Sequence, residues 1–196
     1  MKFVLASHNK GKLEEMQSIL GELGVEVVSQ SDVGLELEPE ENGMTFAENA
    51  RIKAQAVMEA SGLAAIADDS GLCVDALQGG PGVYSARYGG EEMSYPEKIR
   101  MLLQTMQGQT PRTCHFACHI TCCFPNGEVL DAEGKCQGTV AFVPMGEGGF
   151  GFDPIFFVPD LKKTFAQLSP EEKNAISHRG NALRAFAEQL KAYLEK

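Results

Sequence analysis

Two adjacent aspartates, Asp68 and Asp69, follow the short apolar run of residues 63–67. Charge at the end of a buried strand is costly unless a metal ion or a cation lies there. Mg²⁺ takes one or two carboxylates and leaves its other positions to water and phosphate oxygens, and a carboxylate can also deprotonate an attacking water. Glu40 or Glu41 of the acidic loop 36–42 could supply a second carboxylate. The carboxylates suggest a magnesium-dependent site for a polyphosphate when they are taken together with the scattered cations Lys12, Lys53, Lys173, His178 and Arg179. If the strand continues through the pair, the two side chains point to opposite faces, one towards a cleft and the other towards structure. The alternative is an ordinary Asp-Ser-Gly turn.

A polar turn lies between the first predicted strand, residues 3–6, and the first predicted helix. Free backbone N–H groups and the positive end of the helix dipole would meet there, which suits a phosphate. The turn is not a P-loop, because Gly-x-x-x-x-Gly-Lys-Ser/Thr is absent. In the alternative, Asn9 only caps the helix and the lysines are solvated. The candidate phosphate ligands are Ser7, His8, Asn9, Lys10, Gly11 and Lys12.

The helix predicted from Thr45 to about Ser61 begins with a capping box and stops at Gly62. Asn49 and Lys53 are four residues apart and share a face at the border of its apolar stripe. A lysine at such a border is either simply exposed or directed at a neighbouring site.

Two later segments carry further polar candidates. The glycine loop of Phe150, Gly151, Phe152 and Asp153 offers aromatics that either stack on a base or anchor the core, and an acid that can accept from purine N–H groups. The segment from Lys173 to Arg179 is rich in donors, and His178 and Arg179 would lie in the first turn of the last helix. The dipole disfavours cations there, so an anion or a base carbonyl is a natural partner, unless the side chains are solvated.

A cluster of cysteines and histidines in residues 114–123 also suggests zinc. Alternation argues against it, because consecutive Cys and His on a strand point to opposite faces. The pattern is typical of a buried strand that uses cysteine as a small hydrophobic residue.

Bulk composition limits the class of protein. The chain has 196 residues, 43% of them hydrophobic and 22% charged, with a net charge of −10. So acidic a chain is not expected to bind nucleic acid over a broad surface. No apolar stretch is long enough for a membrane span, and the first residues are too short for a signal peptide, so we expect a cytoplasmic protein with reduced cysteines.

Periodicity predicts alternating strands and helices from residue 1 to 196, with no linker or repeat. Residues 112–124 are the clearest strand, followed by strands at 129–132 and 137–143, whereas residues 70–88 are predicted to be mostly loop. The last helix is predicted from about His178, with Ala182, Phe186, Leu190 and Leu194 on one face. We therefore expect a single α/β domain with a mixed central β-sheet flanked by helices.

Five segments, in order along nearly the whole chain, resemble the inosine/xanthosine triphosphate pyrophosphatase family. They are Ser-His-Asn-x-x-Lys at 7–12, Thr-Phe-x-Glu-Asn-Ala-x-x-Lys-Ala at 45–54, Ala-Asp-Asp-Ser-Gly-Leu-Cys-Val at 67–74 with the run 81–88, Gly-Phe-Gly-Phe-Asp-Pro-Ile-Phe at 149–156, and Lys-Asn-x-Ile-Ser-His-Arg at 173–179. His8 and Phe152 depart from the family pattern, which often has glycine and tyrosine there.

The resemblance implies two lobes with a cleft between them, a homodimer, and Mg²⁺-dependent hydrolysis of ITP, dITP and XTP to the monophosphate and pyrophosphate. This activity would keep deaminated purines out of DNA and RNA. It further implies that residues 7–12 and Lys53 hold phosphates, that Asp69 is the general base near the metal, and that Glu41, or else Glu40, is a metal ligand. Ser70 would contact substrate, and the base pocket would contain Phe150, Gly151, Phe152, Asp153, Lys173, His178 and Arg179.

Two other functions remain open from the sequence. A pyrophosphatase of similar architecture acting on modified pyrimidine nucleotides would carry similar polar groups. A zinc-binding interaction module would use the Cys/His segment instead. A panel of nucleotides and a metal analysis separate these alternatives.

Overall fold

The computed structural model describes residues 1–195 as five helices and eight strands joined by short turns. The strands are β1 Lys2–Leu5, β2 Glu26–Ser29, β3 Ala64–Val74, β4 Gly80–Pro81, β5 Thr113–Cys123, β6 Val129–Val140, β7 Phe156–Val158 and β8 Lys163–Thr164. The helices are α1 Lys10–Leu20, α2 Phe46–Ser61, α3 Tyr95–Thr105, α4 Pro170–Ile176 and α5 His178–Leu194.

The strands form one mixed sheet in the order β2-β1-β3-β5-β6-β7-β8, with β4 paired to β3. Strand β1 pairs in parallel with both β2 and β3, whereas β7 pairs antiparallel with β6 and β8. The predicted mixed sheet flanked by helices is confirmed. Among residues 1–195, no helix is long and apolar enough to cross a membrane.

The chain divides into two units, the first of which contains residues 1–69, 118–134 and the C-terminal segment from His178. Strand alternation gives this unit two apolar layers. Phe3 and Leu5 pack with α1 and α5, whereas Val4 and Ala6 pack with Ala54 and Val57 of α2. Helices therefore cover both faces of its sheet.

The second unit contains residues 70–117 and 135–177. Its core joins the end of β3 to α3, β7 and the aromatic cluster of Phe116, Phe156 and Phe165. These three side chains are at most 6% exposed, so the burial of apolar area stabilises this unit.

Local signals placed the helix ends well. The capping box predicted at Thr45 and Glu48 is present, and Gly62 ends α2 in the left-handed conformation with φ 67°. In α5, Ala182, Phe186 and Leu190 are fully buried, but Leu194 is 42% exposed, so the buried face ends one turn earlier than predicted.

Two strand predictions were wrong. Strand β3 does not end at residue 67 but continues to Val74, and β6 is one strand where two were predicted. Position 71 of strand β3 requires glycine, because a Cβ there would lie 2.2 Å from the carbonyl oxygen of Gly82. The hydroxyl of Ser85 accepts from the N–H of Leu72 and donates to the same Gly82 oxygen, which replaces the expected turn contacts.

Candidate active site

The continuation of β3 sends Asp68 and Asp69 to opposite faces of the sheet, where each contacts different helices. Asp68 follows the parity of Ile66 and faces α1 and α5, whereas Asp69 follows Ala67 and faces α2. The adjacent carboxylates therefore belong to two distinct polar networks within the first unit.

Asp68 is held by two cations and is 1% exposed. Its Oδ1 lies 3.1 Å from Lys12 Nζ, and its Oδ2 accepts from Nε and Nη2 of Arg179, each at 3.1 Å. Arg179 also donates to Glu15 at 2.5 Å. Burial alone would raise the pKa of Asp68, but Lys12 and Arg179 outweigh it and hold that pKa well below its usual value. Asp68 is thus a permanent anion that ties the N-terminal turn to α5.

The ionised form of Asp69 is stabilised less by its neighbours than that of Asp68. Its Oδ2 accepts from Asn49 Nδ2 at 3.1 Å, and its Oδ1 lies 3.6 Å from Lys53 Nζ. Burial raises the pKa of Asp69, Lys53 opposes that rise, and the nearby carboxylate of Glu41 adds to it. The net direction is upward, which brings this carboxyl closer to the operating range of a general base.

Lys53 joins Asp69 to the acidic loop. Its Nζ lies 3.1 Å from Glu41 Oε1 as well as 3.6 Å from Asp69, and its side chain is largely buried. Burial opposes its charge, but Asp69, Asp68 and Glu41 outweigh burial and raise the pKa of Lys53. Sequence reasoning left open whether Lys53 is simply solvated, and the structure places it between two carboxylates.

The carboxylates of Glu41 and Asp69 are candidate ligands for a divalent cation. Glu41 and Asp69 both contact the Lys53 ammonium, so two carboxylates lie around one cation, a number that Mg²⁺ accepts when substrate and water complete its shell. Glu40 is exposed, and no side-chain contact brings it to this group. Residues 1–195 contain no group of three His, Cys, Asp or Glu arranged to hold a metal by themselves. The residues therefore fit a cation that binds together with a phosphate substrate.

The N-terminal turn forms the predicted helix start. Asn9 caps α1 by accepting from the N–H of Lys12 at 3.2 Å, and its own N–H donates to Ser7 Oγ. His8 and Lys10 are exposed, and His8 Nε2 lies 3.3 Å from the carbonyl oxygen of Leu37 in the acidic loop. Gly11 lies in the first turn of α1. Both the capping role and an exposed donor-rich turn are therefore present.

The loop of residues 150–153 is built in the second unit around Asp153. This buried carboxylate accepts from the N–H of Phe150 at 3.0 Å and from Lys173 Nζ at 2.8 Å. The Lys173 ammonium also lies 4.5 Å from the centre of the Phe150 ring. A side chain at Gly149 would collide with Asp153, and Gly151 takes a φ of 66°. The aromatic ring of Phe150 and the ammonium group of Lys173 are thus held together.

Phe152 has a different environment from Phe150. It is 2% exposed and meets Tyr88 and Tyr95 edge-to-face, with ring centres 6.3 and 5.6 Å away. It therefore anchors the core of the second unit, the second of the two roles considered for these aromatics. Ser70 is half-buried and follows Asp69 in β3.

Sequence reasoning missed three contacts of the site. The partners of Asp68, Lys12 and Arg179, were not identified, although an anion was one of the two partners considered for Arg179. Glu15 was not considered, although it lies three residues after Lys12 on the same face of α1. Asn49 was noted beside Lys53, but its contact with Asp69 was not foreseen. His178 is buried, at 4% exposure, in the first turn of α5.

The cysteines behave as hydrophobic residues. Five of the six are buried, and all six are free thiols. Burial raises the pKa of Cys114 to about 12 and those of Cys118 and Cys122 well above the usual value, which disfavours the thiolate that zinc requires. The zinc alternative therefore has no ligand set among the described residues.

Comparison with known proteins places this geometry in a family. The model of the Ham1 family matches residues 3–189. The chain is 45% identical to a dITP/XTP pyrophosphatase of Exiguobacterium over 100% of both chains, and 50% identical to one of Desulforamulus reducens over 97% of this chain and 96% of that one. Among solved structures, it resembles the Ham1 protein of Staphylococcus aureus with a TM-score of 0.89 at 42% identity, covering 98% of this chain and 100% of that one. A HAM1 protein from Coxiella burnetii gives 0.90 at 41%, covering 98% and 99%.

Proposed function

This chain belongs to the Ham1 family, and we propose that it hydrolyses nonstandard purine nucleoside triphosphates, dITP, XTP and ITP, to the monophosphate and pyrophosphate. The observation that carries the proposal is the buried Asp69, whose pKa is raised and whose oxygens face Lys53 and Asn49. A buried carboxylate beside a lysine and a second carboxylate suits the hydrolysis of a charged anhydride.

In this mechanism Asp69 is the general base. Its carboxylate removes a proton from water, the water oxygen bonds to the α-phosphorus, and the bond to the bridging oxygen breaks, so that pyrophosphate leaves. Lys53 and the exposed donors of residues 7–12 bind phosphate oxygens and hold the triphosphate in line with the attacking water. Glu41 and Asp69 would hold Mg²⁺, which when bound neutralises charge on the phosphates. Ser70 is a further substrate contact.

For the base we propose contacts from the ring of Phe150 and the ammonium of Lys173, with Gly151 and Asp153 shaping the loop. Nonstandard purines carry a 6-oxo group, which needs a donor, and His178 is a second donor candidate. An unpaired buried donor costs about 1–3 kcal/mol, so these donors would disfavour a 6-amino purine. Because Arg179 is engaged by Asp68 and Glu15, we assign it to holding Asp68 rather than to the base.

The experiment is a nucleotide panel with separate detection of pyrophosphate and orthophosphate. Pyrophosphate release from dITP and XTP, with Mg²⁺, should far exceed release from ATP and from modified pyrimidine triphosphates. Asp69→Asn should reduce it by roughly a hundredfold or more. Equal turnover of ATP and dITP, or release of single phosphates, would refute the proposal.

The resemblance also supports a cytoplasmic homodimer. Sedimentation of the purified chain tests the dimer, and retention of activity in a cytosolic fraction tests the location.

A further inference from the structure

The side chain of Asn49 is fully buried on α2 and is bonded at both ends. Its Oδ1 accepts from the backbone N–H of Gly43 at 2.8 Å, and its Nδ2 donates to Asp69 Oδ2 at 3.1 Å. One planar amide thus connects the proposed base to the loop that carries Glu41, two residues before Gly43.

The orientation of this amide is determined by its neighbours. A backbone N–H can only donate, so the amide oxygen must face Gly43, and the amide NH₂ must then face Asp69. The reversed orientation would place a donor against a donor and a carbonyl oxygen against a carboxylate. Asn49 therefore holds the Asp69 carboxylate without adding a charge to the site.

The loop is pressed against Asn49 at Gly43. A Cβ at residue 43 would lie 2.6 Å from Asn49 Oδ1 and 2.7 Å from Glu48 Cβ. Glycine is needed here for space, since its backbone is outside the left-handed region. This close approach brings the loop to the position from which Glu41 reaches Lys53 at 3.1 Å.

We propose that Asn49 is a positioning residue that holds Asp69 and the Glu41 loop at a fixed separation through a single amide. This inference rests on the proposed function, in which Asp69 and Glu41 act together and must therefore be held at a fixed distance from each other. Residues that hydrogen-bond to metal-binding side chains and orient them typically contribute 10–100-fold in activity or metal affinity.

The test compares Asn49→Ala, Asn49→Asp and Gly43→Ala with Asn42→Ala, a matched control because Asn42 is exposed in the same loop. Two quantities are measured: kcat and KM for dITP at saturating Mg²⁺, and hydrogen exchange of residues 36–44 without metal or nucleotide. Asn49→Ala should lower kcat roughly 10–100-fold with little change in KM and should accelerate exchange of the loop.

The other variants separate the two ends of the amide. Asn49→Asp still accepts from the Gly43 N–H but places a second carboxyl against Asp69. Two buried carboxyls so close share one proton, so Asp69 is no longer a free base, and the loop should stay protected from exchange while kcat falls. Gly43→Ala should lower kcat as well, because its Cβ would push the loop away from both Asn49 Oδ1 and Glu48 Cβ.

Two results would overturn the inference: kcat of Asn49→Asp equal to that of Asn42→Ala, or loop exchange in Asn49→Ala equal to that in the unmodified chain. Hydrogen exchange needs no substrate, so it tests whether Asn49 holds the loop at Gly43 even if dITP is not hydrolysed. Absence of pyrophosphate release from the unmodified chain would count against the proposed function instead.

Discussion

Neutralising the two adjacent aspartates one at a time should affect stability differently, with a loss expected only for Asp68→Asn. Asp68→Asn removes the anion that is shared by Lys12 and Arg179, and takes from the buried guanidinium one of its carboxylate partners. Breaking a buried ion pair from one side costs about 3–5 kcal/mol, and at about 2–4 °C per kcal/mol for a chain of this length the Tm should fall by about 6–20 °C.

Asp69→Asn should leave Tm unchanged or raise it. The pKa of Asp69 is above its unfolded value, so its ionised form is less stable in the folded protein at neutral pH, and removing the charge relieves that cost. An asparagine oxygen can still accept from Asn49, and Lys53 keeps Glu41. Such a gain at the cost of activity is expected of a catalytic carboxylate.

The assay is thermal unfolding of both variants without metal or nucleotide, at pH 7. If Asp69→Asn is destabilised as much as Asp68→Asn, the assignment of Asp68 to structure and Asp69 to chemistry is wrong. Equal and small effects would show that the Asp68 ion pairs contribute little.

Three further predictions follow from the same contacts. The stabilisation from Asp68 should be complete above about pH 4, the pKa of an unfolded aspartate, and should be lost as pH falls towards its lower folded pKa. The free energies of unfolding of the unmodified chain and Asp68→Asn, measured with a chemical denaturant, should therefore converge in acid. Gly71→Ala should lower the Tm strongly, since its Cβ would lie 2.2 Å from the Gly82 oxygen. Gly21→Ala should be neutral or slightly stabilising, because a Cβ there would have no atom within 4 Å. Comparable Tm changes in the two variants would contradict this. Iodoacetamide at pH 8 should label Cys114 slowly in the folded protein and rapidly in denaturant, because burial raises its pKa to about 12, and fast labelling in the native state would refute the assignment.

Local chemistry made much of the fold predictable. The capping box at Thr45, the stop at Gly62 and the alternation of residues 113–123 are signals within a few residues, and each appears as expected. The strand that passes through Asp68 and Asp69 was not predictable in this way. Two charges followed by Ser-Gly favour a turn locally, and only cations from α1, α2 and α5 make burial in a strand acceptable.

By itself, the sequence showed which residues are candidates to carry the chemistry: the paired aspartates, the lysines and the glycine loop are visible as types and spacings, and the family resemblance rests on them. Alternation along a continuing strand predicts opposite faces for Asp68 and Asp69, but only the tertiary structure decided that the strand continues and which partners each carboxylate meets. Strand alternation directs Asp68 to Lys12 and Arg179 and Asp69 to Lys53 and Asn49, and those partners come from segments as far as 111 residues away. The division arises because the pKa of a buried carboxylate depends on which charges surround it in space, and a linear pattern does not contain that information.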